Sequence, residues 1–159
     1  MSAETIAAIE ARIAELEARS AVAELVYAYA EAIRLRDPDA CRALFMPDAW
    51  FEVRHIDPRD PAVDTLVRRT EGVEGIVGSG ITATGPNMWP MIHGVRVEVD
   101  GDNARASSVL AAAMFPQGRQ IIGEYRDEFR RTADGWRFTS RTFRIIGDST
   151  GAYAAEAGC

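Results

Sequence analysis

The sequence predicts an α+β fold. Helical spacing of apolar residues dominates the first third of the chain, period-two alternation dominates from Trp89 onward, and short turn motifs join the alternating segments. At 159 residues, 47% hydrophobic and 26% charged, the composition is that of a globular chain. The length suits one domain that buries its core without disulfides or metals.

Ile6, Ile9, Ile13 and Leu16 recur at spacings of three and four, and Val22, Leu25, Tyr29 and Ile33 continue the stripe with a rotation. The spacing predicts one amphipathic helix from about Ala3 to Leu35. Its first turns have no sequence-adjacent partner, so residues 1–19 are expected either to join the core or to form an oligomer contact. Asp37-Pro38 caps and starts a second helix running to about Phe45, and Met46-Pro47-Asp48 stops it. Ala49–Arg54 reads as a short strand. His55–Arg69 carries prolines and mixed charges and reads as a loop or flap. Glu71–Gly80 reads as a short helix interrupted by glycine, and Ile81–Asn87 as a loop. Met91–Val99, Ala104–Met114, Gln120–Arg131 and Trp136–Ile146 then read as four strands. Asp100-Gly101-Asp102, Pro116-Gln117-Gly118 and Ala133-Asp134-Gly135 form the turns between them. Residues 1–147 make the expected domain, and Asp148–Cys159 is expected to be a mobile tail or lid.

The formal net charge of −6, with basic residues scattered, argues against nucleic acid and acidic membranes as partners. The N-terminal residues lack a secretory pattern and no apolar run spans a membrane, which makes the cytoplasm the expected location. Cys41 falls in a helix and Cys159 in the tail, so no stabilising disulfide is expected. Gly78-Ser79-Gly80 lacks the strand and lysine of a phosphate loop, and no serine sits in a nucleophile elbow. His55 and His93 lack the carboxylate spacing of a metal site, and His55 reads as a solvated loop residue. No cofactor and no metal are expected.

In Gln120–Arg131, Ile121, Gly123, Tyr125, Asp127 and Phe129 share one face, while Glu124, Arg126, Glu128 and Arg130 share the other. The charged set faces water, so Tyr125 and Asp127 should face the helices. In the last strand, Trp136, Phe138, Ser140, Thr142 and Arg144 share parity, which would turn Arg144 inward. His93 shares parity with Met91, Val95, Val97 and Val99. Buried charges are costly unless paired. Asp127 and Arg144 are thus either a structural ion pair or part of a polar cluster in a ligand cavity.

Ala23-Glu24-Leu25 through Tyr29-Ala30, Arg36-Asp37 and Ala43-Leu44-Phe45-Met46-Pro47-Asp48-Ala49 resemble the entry segments of the SnoaL-like, nuclear-transport-factor-2-like superfamily. Val97–Ala104 is similar to its central hairpin. Gly123-Glu124-Tyr125-Arg126-Asp127-Glu128-Phe129, followed by Asp134-Gly135-Trp136-Arg137-Phe138, is similar to bile-acid dehydratases and hexachlorocyclohexane dehydrochlorinases. The resemblance covers most of residues 20–147. It implies a cone: a long helix and two shorter ones packed on a curved, mainly antiparallel sheet, enclosing a cavity for cofactor-free chemistry. Some members of the superfamily are instead non-catalytic partners in larger assemblies.

Carried over residue by residue, the resemblance matches the helix tyrosine to Tyr29, the strand tyrosine to Tyr125, the following aspartate to Asp127 and the late arginine to Arg144. The family's catalytic aspartate falls on Arg34, its histidine on Pro90, and the second histidine of scytalone dehydratase on Met114. His93, three residues beyond Pro90, is either a relocated base or a core histidine. Trp50, Phe51, Trp89, Met91 and Met114 are candidate cavity walls, with Arg34 a further candidate contact. They favour an aromatic or polycyclic ligand. The expected function is a lyase or isomerase with catalytic residues His93, Tyr29, Tyr125, Asp127 and Arg144. The alternative is a ligand-binding or accessory subunit. A homo-oligomer, dimer or trimer, is expected, with a small hydrophobic substrate and neither nucleic acid nor membrane as a partner.

Overall fold

A computed structural model describes residues 2–82 and 87–150. Helix α1, Ala3–Leu35, begins at Ser2, whose hydroxyl accepts from the Thr5 N–H, and ends at Arg36 in the left-handed conformation. Asp37 caps α2, Pro38–Leu44, by accepting from the Asp39 and Ala40 N–H groups. Strand β1 covers Phe45–Asp57 and β2 covers Asp60–Glu71. The short α3, Val73–Val77, leads into a π-helical turn at Gly78–Thr82. Then come β3 (Met88–Asp100), β4 (Asn103–Met114), β5 (Arg119–Thr132) and β6 (Gly135–Asp148). No described helix is long and apolar enough to cross a membrane.

The six strands form one sheet in the order β2-β1-β6-β5-β4-β3. Every pairing is antiparallel except that of β1 with β6. The sheet curves around α1, which buries Ala18, Val22, Val26, Tyr29, Ala32 and Ile33 against it. At the closed end Phe138 stacks between Phe45 at 4.8 Å and Phe129 at 4.5 Å. This is the α+β fold that the pattern of elements predicts and the cone that the family resemblance implies.

The expected loop at His55–Arg69 is instead most of a hairpin between β1 and β2, and His55 is half-buried in β1. The prolines and charges that suggested a loop suit an edge strand, which tolerates interrupted pairing and polar side chains on both faces. The expected loop Ile81–Asn87 mostly falls outside the described residues, as does the tail from residue 151, including Cys159. Cys41 is buried and free. Asp148 ends β6 and pairs with Arg119, with an N–O separation of 2.5 Å.

Two bulges decide which side chains enter the cone. In β3 the register with β4 shifts between His93 and Arg96, and Gly94 sits there at φ 59°. The inward set is Met88, Pro90 and Ile92 before the shift, then Val95, Val97 and Val99 after it. In β6 the pairing with β5 shifts between Glu128 and Phe129, where Phe129 faces Phe138 but Glu128 faces Ser140. One extra residue on a strand reverses every later side chain. Trp136 and Phe138 therefore point inward before the shift, and Arg141, Phe143 and Ile145 after it.

Gly123 lies at another register shift of the β5–β6 pair. A Cβ there would stand 2.4 Å from the Arg144 carbonyl oxygen and 2.6 Å from Phe143 Cε2. The backbone contact has no rotamer by which to escape. Gly123→Ala is expected to destabilise the chain by about 1–3 kcal/mol, the usual range for overpacking, measured by urea unfolding. An unchanged midpoint would show that the strands separate freely at this point.

Candidate functional site

A cavity of about 220 Å³ lies between the inner face of the sheet and α1. Its apolar walls come from Ile33 on α1, Phe51 and Val53 on β1, Met88 and Ile92 on β3, Met114 on β4, Ile121 on β5, and Phe143 and Ile145 on β6. Two phenols and Ser79 supply its neutral polar groups. Tyr29 comes from α1 and Tyr125 from β5; both are buried, with ring centroids 6.3 Å apart at 78°.

Directly below Tyr125 on the same strand face is Asp127, paired across the sheet with Arg141. Both side chains are fully buried, and Arg141 Nε lies 3.3 Å from Asp127 Oδ1. The guanidinium carbon also lies 3.6 Å from the Tyr125 ring centroid, 4.2 Å from that of Tyr29 and 5.0 Å from that of Phe138. The cation is therefore held by one carboxylate and the π-faces of both cavity tyrosines.

Burial pushes the Asp127 carboxyl up to about 7, with Arg141 partly opposing the shift. Burial also pushes Tyr125 up to about 12, again against the pull of Arg141. Tyr29 is raised well above the ordinary phenol value, by burial foremost and by its neighbour Tyr125 next. Both tyrosines are consequently neutral hydrogen-bond donors near pH 7, and neither serves as a base.

The structure corrects several sequence expectations. Arg144 faces outward, where it pairs with Glu124 and approaches Asp64 at 3.5 Å; Arg141 takes the inward place. His93 is exposed on the outer face because the Gly94 bulge follows it. Trp89 and Met91 share that outward parity and are 53% and 46% exposed, so they do not line the cavity. Trp50 also faces outward, under the Arg69 guanidinium at 4.3 Å. Arg34 is exposed near Trp89, at 5.5 Å, and pairs with Glu31. Tyr29, Tyr125 and Met114 line the cavity, and Asp127 lies beneath it.

Arg141 is the residue that strand parity missed. A signal was present: inward apolar positions in the last strand are even at Trp136 and Phe138 but odd at Phe143 and Ile145, which requires a bulge between them. Near the mouth lie two more arginines, Arg68 and Arg119. Arg119 is neutralised by Asp148, which it holds at about 2. Arg68 has no acidic partner among the described residues.

The fold is a cone-shaped α+β domain with an apolar cavity between helix and sheet. The chain belongs to the SnoaL-like domain family, whose sequence profile matches residues 14–142. An uncharacterized protein of Mycobacterium tuberculosis is 30% identical over 137 residues, which cover 81% of this chain and 86% of that one. Among solved structures, a Novosphingobium aromaticivorans protein provisionally named an aromatic ring hydroxylase superposes with a TM-score of 0.66 at 26% identity. That match covers 84% of this chain and 93% of the other. A protein of the same organism provisionally named a scytalone dehydratase gives 0.66 at 18% identity, covering 89% and 90%, which is a likeness of fold.

The proton held by Asp127 gives stability a defined pH dependence. The folded chain keeps it up to about 7, whereas the ordinary carboxyl value is 3.8. Folding thus takes up a proton between those values. The stabilising contribution of this group is complete below 3.8 and is lost as pH rises through about 7. Urea unfolding at pH 5 and pH 8 should show the wild type losing more stability across that interval than Asp127→Asn. Equal losses would place the carboxyl's titration elsewhere.

Proposed function

We propose that the chain is a cofactor-independent lyase or isomerase acting on a small ring-bearing molecule with a carbonyl or hydroxyl oxygen. The observation that carries this reading is the pair of neutral phenols, Tyr29 and Tyr125, in one apolar cavity. Two O–H donors in a largely apolar site favour an oxyanion that develops during enolisation or elimination. Asp127 sits one step deeper than Tyr125, fully buried and outside the cavity lining, so it acts with Arg141 to position the rings and does not touch the substrate. In this reading the phenols hold the substrate oxygen, the carbon-bound proton passes to solvent water at the mouth, and the Asp127–Arg141 pair orients the tyrosine rings.

The cavity, about 220 Å³, falls below the roughly 300–1,000 Å³ of drug-sized sites. One or two fused rings suit it better than a steroid-sized skeleton. Arg68 at the mouth, without an acidic partner among the described residues, favours an acidic or electron-rich substituent at the end remote from the tyrosines. A specific observation also supports a binding or accessory role: among the described residues no histidine lines the cavity, and His93 faces outward.

Deuterium uptake from D2O at the carbons beside the carbonyl of 2-tetralone, followed by NMR, separates the two readings. The wild type should accelerate exchange. Tyr125→Phe should lower that acceleration by about 10²–10³-fold, the usual loss of one oxyanion donor, with retained binding of the ketone. Asp127→Asn should lower it less than Tyr125→Phe does, because the carboxylate does not line the cavity. Exchange at the buffer rate with bound ketone would favour the non-catalytic role.

A further inference from the structure

Helix α1 carries a second apolar face that the cone does not use. Ile6, Ile9, Ile13 and Leu16 are 42%, 45%, 49% and 50% exposed. On a helix of 3.6 residues per turn they lie opposite the stripe of Ala18, Val22, Val26, Tyr29 and Ile33 that packs against the sheet. The same outward face continues through Ser20, the half-buried Ala23 and Tyr27, which is 45% exposed. The family profile starts only at residue 14, so the first turns of this face lie outside the shared domain.

We propose that this face docks a second copy of the same chain, forming a parallel two-stranded coiled coil. Ile6 and Ile13 occupy a positions and Ile9 and Leu16 d positions of a heptad. Ile13 at a with Leu16 at d is the pattern of two-stranded coils; Ile6 with Ile9 does not select that number, and the flanking charges set the parallel pairing. The flanks fix the orientation. Arg12 and Arg19 occupy g positions on one side of the stripe, and Glu10, Glu17 and Glu24 occupy e positions on the other.

In a parallel pair the g flank of one copy faces the e flank of its partner, which brings Arg12 to the partner's Glu17 on both sides of the two-fold axis. An antiparallel pair would set glutamates against glutamates and arginines against arginines. Among the described residues of one chain Arg12 is bonded to Glu15 alone, at 2.8 Å on the exposed surface, and a solvated pair of this kind is exchanged at small cost. Arg19 is partly committed, since it donates to the Val97 carbonyl oxygen of β3.

Steric and entropic terms agree with the charges. Because the stripe points away from the sheet, the two cones fall on opposite sides of the coil and do not collide. The helix is already ordered by the packing of its second half, so pairing does not bear the nucleation cost of a free peptide.

Sedimentation equilibrium of the full chain should give twice the mass of one chain. Ile9→Glu/Ile13→Glu should give the single-chain mass with unchanged near-ultraviolet circular dichroism. In a Cys159→Ser background, Ile6→Cys and Leu16→Cys should each form self-linked dimers under oxidation, because only a parallel pair brings both positions onto their own copies. A monomeric or trimeric wild type would overturn the proposal. So would cross-linking only in mixtures of the two cysteine variants, or a dimer that survives the helix substitutions and is broken by Ile122→Glu on the outer sheet face.

Discussion

A guanidinium with no exposure to water must be stabilised by its surroundings, and the arrangement around Arg141 follows from that requirement. One carboxylate, Asp127, meets it at 3.3 Å, and aromatic faces cover it elsewhere. To place those faces, α1 must bring Tyr29 over the sheet and β5 must bring Tyr125 beside it. The same two rings then become the polar lining of the cavity. Where Asp127 is ionised, above about pH 7, replacing either partner would leave the other charge buried alone, a cost of about 3–5 kcal/mol for pairs of this kind. The cation thus couples the integrity of the cone to the geometry of its cavity.

The chemistry available in the cavity follows from the same burial. Low polarity raises the proton affinity of both tyrosines and of Asp127, while the nearby cation opposes each shift. The phenols remain protonated donors, and the carboxyl is brought toward neutrality. Where the family resemblance places an aspartate and a histidine, this chain has Arg34, exposed on α1, and Pro90, on the cavity wall. An imidazole-based mechanism therefore has no counterpart at those positions. What remains is a donor pair over a carboxylate with an adjusted proton affinity.

Strand irregularities mark the limit of what alternation could tell. In β5, parity and structure agree because no shift separates Gly123 from Asp127. In β3 and β6, a single extra residue exchanges the faces part-way along the strand. His93 and Arg144 are read as inward by unbroken alternation and stand outward in the fold. The hairpin of β1 and β2 was obscured for another reason, since an edge strand needs neither clean alternation nor freedom from proline.

Local chemistry alone determined the long helix, its capped successor, the turns of the meander and the inward set of β5. Each depends on neighbours a few residues away, through helical spacing, capping hydrogen bonds or glycine in turns. The tertiary structure decided the bulge positions, the choice of Arg141 over Arg144 and the size of the cavity. These depend on how one strand's register fits its neighbour and how tightly the sheet wraps α1. Such distances are set by residues far apart in the chain.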